Sequence, residues 1–251
     1  MTGATGRIRE VLRALEVFPA ALPEFDIQSA PGDPVSLFLM WLTEAVRDKI
    51  VGPHAMTLAT ADAAGRVSSR VLICKDVDEG GRWYFASDAA SVMGRDLAAN
   101  PRAAASFYWP RQGRQIRICG EAASAGIDAS AADFLARPPA SRAAAMVGRQ
   151  SEPLDDPAEL DKAFRRSQAE VDADPGLIAV GWTLYALSAD TVEFWQADHQ
   201  RRHIRLQYQR TADTWASHLL WPLPAASASR VGRLDQEDGV RHCQPCLGGE
   251  S

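Results

Sequence analysis

Residues 55–75, AMTLATADAAGRVSSRVLICK, predict a β-hairpin. Residues 55–61 and 66–75 are rich in the alternating apolar and β-branched residues typical of strands, and residues 62–65 between them favour a turn. Further short strands are predicted at residues 82–87, 103–109, 114–123, 178–188, 191–195, 202–209 and 214–219. Many short strands with tight turns and no βαβ alternation favour an antiparallel barrel with flanking helices, a mainly β fold with α (α+β).

The helical regions divide the chain into three parts. Asp33 and Pro34 form an N-cap and a first helical position, and apolar residues recur at helical spacing over residues 37–46. Short helices are also predicted at residues 7–18 and 91–99. We expect residues 1–32 to be an N-terminal extension, residues 33–222 to be the barrel domain with a helical insertion at 128–173, and residues 223–251 to be a flexible tail.

Composition excludes several classes of protein. A net charge of −5 argues against a general nucleic-acid binder, which needs a concentrated positive surface. No apolar run is long enough to cross a bilayer, and the N-terminus has charges where a secretion signal would be apolar. We therefore expect a cytoplasmic protein that acts without a membrane or nucleic acid.

The four cysteines predict no metal site. Cys74 and Cys119 are isolated in apolar surroundings and are expected to be buried thiols. Cys243 and Cys246 follow His242 in the tail, but a structural zinc site needs four ligands and no second pair completes it. A tail without a metal or redox role is favoured over either function, in keeping with a reducing compartment.

A basic and aromatic cluster lies near the end of the predicted barrel. Glu193-Phe-Trp-Gln196 is followed by Arg201, His203 and Arg205. Along a strand, alternation would place the last three on one face, where two guanidiniums and an imidazole suit a phosphate or another anion. A basic, solvent-exposed strand is the alternative.

Polar side chains also interrupt several apolar strands. Arg70 and Lys75 flank Val71, Leu72, Ile73 and Cys74, Gln115 lies in another strand, and Gln150-Ser151 follows a helical region. Such groups need partners when they are buried, and together they indicate a shared anionic or polar ligand. Each alone also fits a solvated strand edge. No Walker loop, G-x-S-x-G or H-E-x-x-H motif is present, so hydrolytic and metal mechanisms have little support.

In these motifs the chain resembles the pyridoxamine 5′-phosphate oxidase family of FMN-binding split barrels. The resemblance extends over residues 33–222 and rests on residues 70–75, 100–102, 109, 114–115, 137–138, 149–151, 193–196 and 201–205. Residues 75–79, 94–101 and 149–153 are especially similar to the branch that oxidises intermediates of phenazine biosynthesis.

The resemblance implies an FMN-dependent oxidase that is a homodimer, with FMN at the subunit interface. It implies that Arg70 binds the FMN phosphate and that the backbone of residues 70–75, including Val71, Leu72, Ile73 and Lys75, lines the isoalloxazine. Further FMN contacts would be Ser87, Gln115, Gln150, Ser151, Trp195 and Arg205. Substrate would be held by Lys75, Asp133, Arg137, Ser141, Arg201 and His203, of which Arg201 and His203 would be catalytic.

Two departures from the family pattern bear on function. Ser91 is followed by Val92-Met93 in place of a basic pair that binds the FMN phosphate. Asp133 replaces a tyrosine that grips the substrate phosphate, and a carboxylate there would repel a phosphate dianion. We therefore expect a dihydro-aromatic or dihydrophenazine-like acid from secondary metabolism to be the substrate. Pyridoxine or pyridoxamine 5′-phosphate is the alternative substrate, and a non-catalytic flavin-binding module is the alternative function.

Overall fold

The computed structural model describes residues 3–212 and 214–222. The helices among them are α1 (Gly3–Ala14), α2 (Pro34–Arg47), α3 (Val92–Ala99), α4 (Ile127–Leu135), α5 (Pro139–Met146) and α6 (Pro157–Ala173). The strands are β1 (Ala55–Ala61), β2 (Val67–Ile73), β3 (Asp76–Val77), β4 (Arg82–Asp88), β5 (Arg102–Trp109), β6 (Arg114–Ser124), β7 (Trp182–Gln196), β8 (Ile204–Thr211) and β9 (Thr214–Leu219).

All the strands belong to one antiparallel sheet. Its order is β2-β1-β5-β6-β7-β4-β3, and β8 pairs with β7 and then with β9. The long strand β7 pairs with β4 along its first half and with β8 along its second half, while β6 follows its other edge. This branching curls the sheet into a half-barrel, which confirms the predicted split-barrel α+β fold.

The core lies between the inner face of the sheet and α2. Asp33 caps this helix by accepting a hydrogen bond from the Ser36 N–H at 2.8 Å, as the sequence predicted. Trp41 of α2 packs edge-on against Phe194 of β7, with ring centroids 5.2 Å apart, and both are almost fully buried. Burial of each such side chain stabilises the fold by roughly 1.5–3 kcal/mol.

The outer face of the sheet is more exposed. Val67, Val71 and Ile73 alternate along β2 and have 44–73% of their surface accessible. Tyr108 of β5 is also about half exposed. These apolar side chains leave an exposed apolar strip on the outer face of the sheet.

The two strands predicted at residues 178–188 and 191–195 are one strand, so this prediction was wrong. The sheet register shifts between Cys119 and Gly120, and Asp190 is the extra residue of a β-bulge. A Cβ on Gly120 would lie 1.9 Å from the carbonyl oxygen of Ser188, so the bulge requires glycine here. Because a bulge lets the chain continue, the polar Asp190 does not end the strand.

Helices form close to residues 7–18 and over residues 128–173, the regions where they were predicted. Helix α1 spans Gly3–Ala14, four residues before the predicted start and end. Helices α4, α5 and α6 fall over the predicted insertion at 128–173, while the domain boundaries stay a prediction. The proposed tail at 223–251, with Cys243 and Cys246, lies outside the described residues.

Two cysteines, Cys74 and Cys119, lie in the described part of the chain and differ in burial. Cys74 is buried, as predicted, and burial raises the pKa of its thiol to about 12. The prediction for Cys119 was wrong, because this residue is only half-buried. The described residues contain no group of His, Cys, Asp and Glu side chains able to hold a metal ion. None of the helices described is long and apolar enough to cross a membrane.

Candidate functional site

A row of polar and aromatic residues crosses the outer face of the sheet. Tyr108 of β5 lies opposite Gln115 of β6, which lies opposite Trp195 of β7, which lies opposite Arg205 of β8. Directly opposed residues in antiparallel strands point to the same face and contact each other. The fold therefore brings together Gln115, Trp195 and Arg205, three of the residues predicted to bind cofactor.

Glu193 fixes the position of Arg205. Its carboxylate accepts a 2.7 Å hydrogen bond from Arg205 Nε and also pairs with Arg117, although its side chain is only 7% exposed. The hydrogen bond to Glu193 raises the pKa of Arg205. Arg205 Nη1 also donates to the Trp221 carbonyl at 3.1 Å. Sequence reasoning missed this role, although Glu193 lies two residues before Trp195 and so shares its face.

The predicted catalytic residues lie on a loop and not on a strand. Strand β8 begins only at Ile204, so the expectation that Arg201 and His203 share a strand face with Arg205 was wrong. The Asp198 carboxylate accepts hydrogen bonds from the N–H groups of Gln200 and Arg202, and Arg201 adopts a positive φ of 65°. These local bonds favour a turn over the extended backbone.

His203 still reaches the outer face. Its ring lies 4.8 Å from the Trp195 ring, measured between centroids, and its Nδ1 accepts a 3.0 Å hydrogen bond from the Asp198 N–H. Partial burial, and then the nearby Arg201, lower the pKa of His203. The neutral imidazole is thus favoured, and with Nδ1 accepting, Nε2 carries the proton and is a donor.

The segment before α2 contributes an aromatic side chain that sequence reasoning missed. The ring centroid of Phe18 lies 5.8 Å from that of Trp195 and 6.4 Å from that of His203. The N-terminal extension therefore packs directly on the predicted catalytic loop. A cavity of about 560 Å³ lies beside it, between residues 22–26 and residues 196–204.

Arg70 lies on the inner face, in a network of hydrogen bonds. Its position opposite the fully buried Leu58 separates it from Gln115, which is on the outer face. The guanidinium donates to Thr60 Oγ1 at 2.8 Å and to Ser68 Oγ at 2.7 Å, and lies 3.9 Å from the Asp96 carboxylate. Burial lowers the pKa of Arg70, against the attraction of Asp96. One subunit alone therefore does not bring all the predicted cofactor residues together.

The N-terminus of α3 forms a second polar group. Ser91 caps this helix by accepting from the Gly94 N–H at 3.0 Å. Ser87 Oγ lies 3.4 Å from Ser91 Oγ and 3.5 Å from Gln150 Oε1. A Cβ on Gly94 would lie 2.2 Å from the Ala89 carbonyl oxygen, so glycine allows the preceding loop to pack closely on the helix. The fold thus brings the predicted Ser87 and Gln150 together.

This group has the chemistry that a phosphate ester needs. A helix N-terminus carries partial positive charge, and hydroxyl and amide groups donate hydrogen bonds to phosphate oxygens. Together with Arg70 for charge and Trp195 for an aromatic ring, the residues present fit FMN.

The two residues that replace the expected basic pair differ in exposure. Val92 is 37% exposed, whereas Met93 is 4% exposed and part of the core. Ser151 is exposed in the turn after α5, with a positive φ of 74°.

Three of the predicted substrate residues, Lys75, Asp133 and Arg137, form a charged cluster around Trp182. Lys75 Nζ lies 2.7 Å from Asp133 Oδ1, and Trp182 Nε1 donates to Asp133 Oδ2 at 2.7 Å. The Arg137 guanidinium stacks on the Trp182 ring, 4.0 Å from its centroid. Burial lowers the pKa of Arg137, against the attraction of Asp133. Ser141 lies half-buried in the next helix, α5. Sequence reasoning missed the contact of Trp182 with Asp133.

Comparison with known proteins identifies the family. Residues 42–170 match the family described as pyridoxamine 5′-phosphate oxidase, and residues 182–222 match the pyridoxine 5′-phosphate oxidase C-terminal dimerisation region. Pyridoxine/pyridoxamine 5′-phosphate oxidase from Pseudomonas paraeruginosa is 39% identical over 196 residues, which are 77% of this chain and 91% of that protein. The corresponding Burkholderia lata protein is 39% identical over 206 residues, or 81% of this chain and 94% of its own.

Solved structures agree with this result. PhzG from Burkholderia lata, in complex with tetrahydrophenazine-1-carboxylic acid, superposes with a TM-score of 0.73 at 28% identity, covering 82% of this chain and all of PhzG. A pyridoxamine 5′-phosphate oxidase-related, FMN binding protein from Nostoc punctiforme has the same fold, with a TM-score of 0.62 at 20% identity, covering 75% of this chain and 97% of its own. The chain therefore belongs to the pyridoxamine 5′-phosphate oxidase family and is an FMN-dependent oxidoreductase.

Proposed function

We propose that this protein is an FMN-dependent oxidase of secondary metabolism whose substrate is a small dihydro-aromatic acid of the dihydrophenazine kind. The observation that carries the proposal is the 2.7 Å ion pair between Lys75 and Asp133. In the family pattern, Lys75 helps to hold the substrate phosphate. Here a fixed carboxylate already neutralises its ammonium and would repel an incoming phosphate dianion.

FMN, when bound, supplies a two-electron acceptor that takes a hydride at N5 and is reoxidised by dioxygen. The residues of this chain bind and orient the substrate. Arg201 would orient the substrate ring against the flavin beside Trp195. His203, neutral and protonated on Nε2, would donate a hydrogen bond to a ring nitrogen of the substrate.

We further propose that FMN binds between the two subunits of a homodimer. Arg70 and Gln115, both predicted to contact FMN, lie on opposite faces of one sheet. A second subunit packed against the outer face would supply the missing set of contacts. The exposed Val67, Val71 and Ile73 on that face and the match of residues 182–222 to a dimerisation region support this arrangement. A cytoplasmic location stays a prediction.

The experiment compares substrates under air. Purified protein loaded with FMN is given a dihydrophenazine carboxylate, pyridoxine 5′-phosphate or pyridoxamine 5′-phosphate, and hydrogen peroxide is measured. We expect peroxide from the dihydrophenazine acid, with kcat/KM at least about tenfold above either phosphate ester. Asp133→Tyr should raise kcat/KM for the phosphate esters.

One specific observation favours the alternative of pyridoxine or pyridoxamine 5′-phosphate oxidation. Several relatives with that name are 33–40% identical to this chain. Efficient oxidation of the phosphate esters by the unmodified protein, with no gain in Asp133→Tyr, would establish that alternative. Protein that binds FMN but oxidises none of the three compounds would support a non-catalytic flavin-binding module.

A further inference from the structure

The cluster around Trp182 holds Asp133 from two sides. Lys75 Nζ and Trp182 Nε1 each lie 2.7 Å from a different oxygen of its carboxylate. The Asp133 side chain is only 14% exposed, so water competes little for these contacts. Trp182 is itself oriented by Phe134, which is fully buried next to Asp133 on α4, with ring centroids 5.8 Å apart. Asp133 is therefore a fixed internal anion.

Arg137 is left with an unused donor. The central carbon of its guanidinium lies 4.0 Å from the centroid of the Trp182 ring, a cation–π contact that helps to hold the side chain in place. Its Nη1 is buried and has no hydrogen-bond partner among residues 3–212 and 214–222. A guanidinium donates through five N–H groups and accepts none, so an unpaired buried Nη1 calls for an acceptor from a bound ligand.

The charges of the cluster favour a particular acceptor. Lys75 and Arg137 contribute two positive charges and Asp133 contributes one negative charge, which leaves a net charge of one positive unit. A carboxylate balances that charge and matches the planar fork of an arginine. A phosphate ester carries about 1.5–2 negative charges at neutral pH and would leave an excess of negative charge beside Asp133.

We propose that this cluster is a monoanion subsite in which Arg137 binds the carboxylate of a planar aromatic acid and Trp182 is a positioning residue that keeps Asp133 in place to exclude dianions. The inference deepens the proposed function and rests on its claim that the substrate is an acid. It adds that residues 133, 137 and 182 determine the preference for binding the acid over the phosphate ester.

Binding of unreactive ligands tests this subsite separately from turnover. The FMN-loaded protein is titrated calorimetrically with phenazine-1-carboxylate, neutral phenazine and pyridoxal 5′-phosphate, none of which donates a hydride. We expect the carboxylate to bind about tenfold or more tightly than either the neutral ring or the dianion. Equal affinity for phenazine and phenazine-1-carboxylate would overturn the proposal, because the carboxylate would then not be recognised.

Four variants test which residues determine the preference between carboxylate and phosphate. Asp133→Asn should tighten pyridoxal 5′-phosphate binding about tenfold, since it removes the repelling charge. Trp182→Phe keeps the ring under Arg137 but removes the Nε1 donor, and should shift the preference in the same direction by a smaller factor. Arg137→Gln should weaken carboxylate binding while leaving neutral phenazine unaffected. Asp128→Asn removes an exposed charge from the same helix and should leave the affinities for all three ligands unchanged.

An unchanged carboxylate-to-phosphate preference in both Asp133→Asn and Trp182→Phe would refute the subsite. If Asp133→Asn does not fold, Trp182→Phe still tests the subsite. FMN content and Tm are measured for each variant. The two proposals fail in different ways. Selective binding of phenazine-1-carboxylate without oxidation of any dihydro acid would leave the subsite intact and refute the oxidase.

Discussion

The α3 N-terminus gives a quantitative prediction about cofactor affinity. The resemblance to the family implies a basic pair where this chain has Val92 and Met93, and the two positions differ in exposure, at 37% and 4%. A cation restored at position 92 can reach an anion at the helix N-terminus, whereas a cation at position 93 would replace a core side chain. We therefore predict that Val92→Arg tightens FMN binding and that Met93→Lys does not.

The expected size of the first effect follows from two opposing contributions. A charge-assisted hydrogen bond contributes about 1.5–3 kcal/mol. An arginine in the first turn of α3 also opposes the helix dipole, at a cost of about 0.3–1 kcal/mol. The difference of roughly 1–2 kcal/mol corresponds to about 5–30-fold in Kd. Met93→Lys would bury an ammonium at a cost of several kcal/mol, so its Tm should fall clearly.

The assay is the quenching of FMN fluorescence as apo-protein is added, with Tm measured in parallel. Val92→Gln is the matched control, because it adds length without charge. Arg70→Met should weaken FMN binding by about 10–100-fold if Arg70 contacts the phosphate. An unchanged Kd in Val92→Arg would refute the placement of the phosphate at α3. Tighter binding in Met93→Lys with an unchanged Tm would refute the exposure argument.

Three further predictions concern the core and the loop. Glu44→Ala should destabilise the protein by about 1–3 kcal/mol in chemical denaturation, because it removes the carboxylate 2.5 Å from Nη1 of the buried Arg114, which among the described residues keeps only its hydrogen bond to Gln196. An unchanged free energy of unfolding would contradict this. The pKa of His203 is lowered from 6.5, so the folded protein favours the neutral imidazole. Its contribution to the free energy of unfolding is therefore present above about pH 6.5 and is lost as the pH falls below that value. Arg201→Gln should raise the pKa of His203 in an NMR titration, and an unchanged pKa would contradict the role of Arg201. Phe18→Ala should increase the solvent accessibility of Trp195, measured as acrylamide quenching of tryptophan fluorescence, and the increase should be absent when Trp195→Phe is also present. An equal increase with and without Trp195 would contradict the packing.

Local patterns predicted much of the fold because they are set by nearby residues. The hairpin at residues 55–75 and the start of α2 at Asp33 depend on alternation, turn residues and a cap. The continuity of β7 could not be predicted, since it depends on a bulge against Gly120, about 70 residues away in the chain. The strand expected for Arg201 and His203 failed because the Asp198 side chain stabilises a turn that strand propensity does not reveal.

Some residues of the candidate site could likewise be predicted from the sequence, and others could not. Gln115, Trp195 and Arg205 could be grouped by their resemblance to family motifs, and the sheet register places them in one row. Glu193, Trp182 and Phe18 were missed because their roles consist of contacts with distant residues. The pairing of Trp182 with Asp133 joins residues 49 positions apart, and no periodicity predicts it.

We expect the chain to oxidise a dihydro-aromatic acid in preference to a phosphate ester. The most direct test is anaerobic stopped-flow measurement of flavin bleaching after mixing FMN-loaded protein with a dihydrophenazine carboxylate or with pyridoxine 5′-phosphate. We predict full bleaching by the acid within one turnover and at least about tenfold slower bleaching by the phosphate ester at equal concentration. Faster bleaching by pyridoxine 5′-phosphate would contradict the account.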